Sequence, residues 1–144
     1  MMFRKLLILH MLALFFWPCV ASALVSKPTD DSRELQLQEM LILFLLPDMR
    51  ETLGEEYSKH LKTTPDLFPY YIDIEHVERL NGFRGYDFLI TLEATPTVGP
   101  HIVVGKDRFI FEISPTVNVK LLKFEHIKGP DRNDFPSNYL YLLK

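Results

Sequence analysis

Asp73 and Glu93 are carboxylates in two alternating segments that can pair across a glycine-rich turn, and facing carboxylates are the raw material of an acid/base pair or a calcium ligand set. If residues 81–85 form that turn, Leu80 lies opposite Tyr86 and every opposite pair sums to 166. Asp73 then faces Glu93, Arg79 faces Asp87, Ile72 faces Ala94, Ile74 faces Leu92 and His76 faces Ile90. A slip of one residue would set Ile74 against Glu93 and mix the apolar and polar faces, so burial of one face selects the parity. Placing Phe109, Phe111 and Ile113 on the same apolar face of the next segment brings Arg108 beside Glu93. Asp73, Glu93 and Arg108 therefore read as a charge-neutralised network on the outer face of a sheet, structural rather than catalytic.

The histidines come next. Beyond residue 23 they are His60, His76, His101 and His126. None has His-Glu-x-x-His spacing and no two sit one helical turn apart, so no metal site is expected. His76 falls among core-facing strand positions and His60 near the exposed end of a helix. His101 lies in the connection Gly99–Lys106, the kind of segment where contact residues concentrate. Ile102, Val103 and Lys106 share that connection and Asp107 follows it, so these five residues form the candidate binding surface. The whole link, residues 95–106, is long for a hairpin, and Ile102-Val103-Val104 has no evident core slot. The alternative is that Ile102–Val104 forms a short strand ending in a turn or bulge at Gly105.

Other chemistries lack their motifs. There is no Gly-x-Ser-x-Gly elbow, and neither Gly99-Pro100-His101 nor Gly105-Lys106-Asp107 has the Gly-Lys-Ser/Thr ending of a phosphate loop. No catalytic residue and no cofactor are expected.

These residues need elements to position them, and the chain begins with an address. Arg4 and Lys5 precede the apolar run Leu6–Val20, and Ala21-Ser22-Ala23 supplies small residues at −3 and −1 of a cleavage site. The run is 15 residues long, shorter than the roughly 20 that a spanning helix needs. Residues 1–23 read as a signal peptide and 24–31 as a linker, with residues 32–144 forming one domain; retention of the N-terminal segment as a membrane tether is the alternative. Removing residues 1–23 leaves 121 residues, 14 of them basic and 19 acidic, with a formal charge of −5. That balance argues against nucleic acid and anionic cell-surface polymers as main partners. Cys19 leaves with the signal, so the remaining chain has neither a disulfide nor a thiolate and must rely on its apolar core.

Asp31 and Glu34 have the spacing of a capping box, and helix follows over Glu34–Leu46. Met40–Leu46 is apolar throughout, as expected of a helix that is buried or that packs against a second copy in a homodimer. Pro47 kinks this helix or separates two. Met49, Leu53, Tyr57 and Leu61 then continue a stripe at spacing four. After Thr63–Pro69 the period changes to two, with strands over Tyr71–Leu80, Tyr86–Ala94, Phe109–Ile113 and Val117–Ile127. Tyr86, Phe88, Phe109 and Phe111 fall on the core face. Tyr139–Leu143 can dock back as a short helical turn. Helix first and four strands after predicts an α+β fold: an N-terminal helix or kinked helix pair on a four-stranded antiparallel meander, cystatin-like in architecture.

Three blocks carry a family likeness: Leu41–Pro47, Glu78–Gly85 and Thr95–His101. Together they resemble the domain-of-unknown-function family numbered 3888, over roughly Ser32 to Ile127. The resemblance implies an exported protein of a Bacillus-like, spore-forming Gram-positive bacterium, and it brings no reaction, ligand or catalytic residue. The functional expectation is a secreted or envelope-associated, non-catalytic module that binds a protein or envelope component and meets the membrane only during export. A small-molecule or lipid site between helix and sheet is the alternative. Ala21 and Ala23 are the well-placed small pair after the apolar run, so the intact mass of the exported chain should correspond to a protein beginning at Leu24. Recovery of the full-length chain in membranes alone would establish the tether instead.

Overall fold

The computed structural model describes residues 28–144, so the expected signal peptide, residues 1–23, and residues 24–27 of the expected linker lie outside the described residues. Leucine, glutamate, glutamine and methionine dominate residues 33–57, a composition with high helix propensity, and they form one continuous helix, α1 (Arg33–Tyr57). It passes through Pro47 without interruption, because tertiary burial on both sides outweighs the lost backbone donor. The cap lies one residue later than the Asp31/Glu34 spacing suggests. Ser32 is the N-cap and its hydroxyl accepts from the Leu35 amide at 3.1 Å, whereas Asp31 takes a left-handed φ of 53°. Ile42, Leu45, Leu46, Met49, Leu53 and Tyr57 form the buried stripe. Met40, Leu43 and Phe44 are exposed, so the apolar run is not buried all round.

Strands β1 (Ile72–Arg79), β2 (Phe88–Ala94), β3 (Thr97–Val98), β4 (Ile102–Val103), β5 (Lys106–Ser114) and β6 (Asn118–Lys128) follow. The main sheet has the order β1-β2-β5-β6, antiparallel throughout, and β3-β4 forms a separate small hairpin. The fold is thus α+β, as the change of period implies. Ile72, Ile90, Leu92, Ala94, Phe109 and Phe111 meet the helical stripe in one core that also takes in Leu61, Leu67, Val98, Val104 and Phe135.

The first hairpin follows the expected register only for its outer part. Ile72 faces Ala94, Asp73 faces Glu93 and Ile74 faces Leu92, but a bulge at Glu75 then shifts the pairing by one. A bulge reverses side-chain parity beyond it. His76 therefore faces Thr91 and is exposed rather than core-facing, and Val77, not His76, faces Ile90. Arg79 pairs with Phe88, not Asp87, and its guanidinium lies 4.4 Å from the Phe88 ring centroid. Tyr86 is left outside β2 and exposed, and Phe88 is only half-buried, while Phe109 and Phe111 are fully buried as expected.

Beyond β6 the chain returns to the helix end. A 3-10 turn spans Ser137–Leu142, the Lys62 amide donates to the Leu142 carbonyl at 2.9 Å, and the Lys144 amide donates to the His60 carbonyl at 3.0 Å. Among the described residues no helix is long and apolar enough to cross a membrane.

Candidate functional site

The last turn of α1, the start of β5, the end of β6 and the returning tail converge at one end of the sheet. Asp107, the second residue of β5, faces His126 of β6 in the ladder, and a register shift lies between Lys106 and Asp107. The Asp107 side chain has no solvent exposure. A carboxylate in that position must find donors within the protein. Tyr57 supplies one: its hydroxyl donates to Asp107 Oδ2 at 2.8 Å. His126 supplies the other, with Nδ1 2.6 Å from Asp107 Oδ1.

Burial pushes the Asp107 carboxyl above the ordinary carboxylate range, against the lowering effect of the His126 and Tyr57 hydrogen bonds. The Tyr57 hydroxyl is pushed far up, first by burial and then by the neighbouring Asp107 charge, so it stays a donor. An ionised carboxylate can only accept, so with Asp107 ionised the proton of its contact with His126 lies on Nδ1. His126 Nε2 takes no part in this bridge.

Close packing makes this arrangement dependent on glycine. A Cβ at Gly105 would lie 1.8 Å from the Tyr57 hydroxyl oxygen and 2.5 Å from the Lys128 carbonyl oxygen. A Cβ at Gly129 would lie 3.0 Å from His126 Nε2. Both glycines are therefore explained by close approach.

A second group of side chains surrounds the exposed edge of His126. The His60 ring stacks on His126 with centroids 6.0 Å apart and planes 9° apart, and Tyr57 meets His126 edge-on at 5.3 Å. Glu56, one helical turn before His60, has Oε1 3.8 Å from His60 Nε2 and Oε2 2.6 Å from Lys59 Nζ. The Lys59 hydrogen bond holds the Glu56 carboxyl below its usual range. One potential ligand atom from each of Glu56, His60 and His126 lies within 4.8 Å of the others, the one grouping of this kind among the described residues. Beside His60 opens a cleft of about 310 Å³ lined by Lys59, His60, Pro130, Arg132, Leu143 and Lys144.

With this geometry in view, comparison with known proteins gives one result. Residues 37–128 match the family described as Protein of unknown function (DUF3888). The chain belongs to that family. Nothing among the curated proteins or the solved structures matches it. The matched stretch of this DUF3888 protein contains Glu56, Tyr57, His60, Asp107 and His126, and it ends before Arg132 and Lys144.

The five residues expected to form a contact loop are divided among different places. His101, at a φ of 63°, lies against the Phe68 ring at 5.1 Å and near Tyr71 at 6.3 Å. Ile102 packs on the core as part of β4 while Val103 is exposed, and the next residue, Val104, does have a core slot, being fully buried. Lys106 belongs to β5 and pairs with Glu93 at 2.5 Å. Asp107 is not a surface handle but the buried centre of the Tyr57–His126 bridge.

The outer-face cluster is assembled as expected and is larger. Glu93 pairs with Asp73 on one side and Arg108 on the other, and Arg108 lies 3.6 Å from Glu93 and 3.2 Å from Glu125. The sequence pattern puts Tyr57 on the apolar stripe and His60 at a helix end and gives neither of them, nor Glu56 or His126, a role in a site, although Glu56-x-x-x-His60 places a carboxylate and an imidazole on one helical face.

Replacing Asp107 tests the bridge. Asp107→Ala strands the Tyr57 hydroxyl and the His126 N–H and should cost about 2–5 kcal/mol in urea unfolding. Asp107→Asn keeps an acceptor for Tyr57 and should cost about half as much or less. Equal, near-zero effects would show that the bridge does not stabilise the fold.

Proposed function

We propose that this protein is an exported, non-catalytic binding module whose partner presents an anionic group, a carboxylate or a phosphate, to the cleft beside His60. The observation that carries this reading is the convergence of Lys59, Arg132 and Lys144 on one concavity, in a chain whose overall balance is acidic. Among the described residues the Arg132 side chain makes no hydrogen bond or ion pair, so its five donors are available to a planar or tetrahedral anion. Lys59 is shared with Glu56, and Lys144 reaches the Ser58 carbonyl, which fixes both cations near the cleft wall. Backbone hydrogen bonds from Lys62 and Lys144 hold the tail against the helix end. Export rests on the leader pattern of residues 1–23, and the local cluster of cations, set against the acidic balance of the whole chain, favours an anionic group on an extracellular or envelope partner over a long anionic polymer.

Calorimetric titration with inorganic phosphate and with citrate, in buffer containing chelator, tests the cleft. Saturable binding should appear, weaken as salt is raised, and fall by more than about tenfold in Arg132→Glu. Anion binding of equal strength in Arg132→Glu would place the contact elsewhere.

A further inference from the structure

We infer that Glu56, His60 and His126 form a binding site for a divalent transition-metal ion of the zinc class, with Asp107 as the positioning residue that orients His126. Three observations bear on it. The ligand atoms come from two elements already locked together: Glu56 and His60 from the end of α1 and its following turn, His126 from β6, and the Tyr57–Asp107–His126 chain ties the two.

His126 is also presented in the manner of a metal ligand. Its Nδ1 is taken by a fully buried carboxylate, which leaves Nε2 as the coordinating atom, and metal-bound histidines characteristically donate their other nitrogen to such a carboxylate. Glu56, for its part, has Oε2 held by Lys59 while Oε1 faces His60.

The dimensions suit a site that closes on its ion. A tetrahedral zinc ion about 2 Å from each donor sets its ligands roughly 3.3 Å apart. The Glu56–His60 separation is already 3.8 Å and the whole set lies within 4.8 Å. His60 is about half exposed, so rotation of its side chain can bring the atoms together without moving the backbone. Two imidazoles and one carboxylate suit zinc, nickel or copper and are a poor set for calcium or magnesium, which need more oxygen ligands. Three protein ligands leave one coordination position for water or for an exchangeable ligand.

This site goes beyond the anion reading and is tested separately from it, although His60 borders both. The purified protein, freed of metal by chelator and exchanged into phosphate-free buffer, is titrated with cobalt(II) and then zinc(II). One ion per chain should bind, the cobalt form should show the intense visible bands of four-coordination, and zinc should displace it. His60→Ala, an exposed change whose fold is checked by circular dichroism, should weaken zinc binding by more than about tenfold, and Asp107→Asn, which retains all three ligands, by about 10–100-fold. Absence of stoichiometric binding, or undiminished binding in folded His60→Ala, would overturn the site. Undiminished binding in Asp107→Asn would overturn the positioning role. Calcium binding in place of zinc would overturn the metal class.

Discussion

A carboxylate without solvent exposure constrains everything around it, and Asp107 is the point on which this end of the molecule depends. Burying its charge is favourable only while both oxygens accept strong hydrogen bonds, so the fold must bring one donor from the helix and one from the neighbouring strand to within about 3 Å. Tyr57, 50 positions earlier in the chain, and His126, 19 later, meet that requirement. The apolar stripe Met49–Leu53–Tyr57–Leu61 supplies the packing energy, and the Tyr57 hydroxyl at its end fixes how the helix is seated on the sheet. Gly105 follows from the same constraint, since no side chain fits between Tyr57 and Lys128.

The consequences extend outward from the bridge. His126 is held by its inner nitrogen, so its outer edge faces the helix end, where Glu56 and His60 lie on one turn. The tail closes over that end through backbone bonds to residues 60 and 62 and brings Arg132 and Lys144 to the rim of the cleft. A core interaction thus organises a polar surface that the chain builds from four separate segments. The proposed anion and metal sites both draw on this convergence, the first through the cations of the rim, the second through imidazole and carboxylate.

Much of the architecture could be read from periodicity alone. Spacing four in the second half of α1 identified residues that prove fully buried, and the alternation in β2 and β5 placed Leu92, Phe109 and Phe111 in the core. Pairing in the first hairpin follows simple alternation as far as Ile74 and departs from it beyond. The bulge at Glu75 has no glycine or proline to announce it, and the one-residue shift moved His76 and Arg79 to new neighbours. The polar site was less legible for a different reason. Its members are separated by tens of residues, and Asp107 follows a glycine-rich connection and has the look of a loop residue. Only the tertiary meeting of β5, β6 and α1 shows that it is buried. The Glu56–His60 spacing was the one local signal, and by itself it is also a common pattern for an exposed helix end.

The bridge fixes the protonation pattern of His126, and that pattern can be observed directly. Long-range proton–nitrogen correlation spectra of the imidazole rings, recorded at neutral pH on metal-free protein, report which ring nitrogen of each histidine carries the proton. Hydrogen bonding to the buried Asp107 carboxylate, which can only accept, predicts that His126 carries a proton on Nδ1. A His126 ring carrying its proton on Nε2 alone, with Nδ1 bare, would contradict the bridge and with it the orientation on which the site is built.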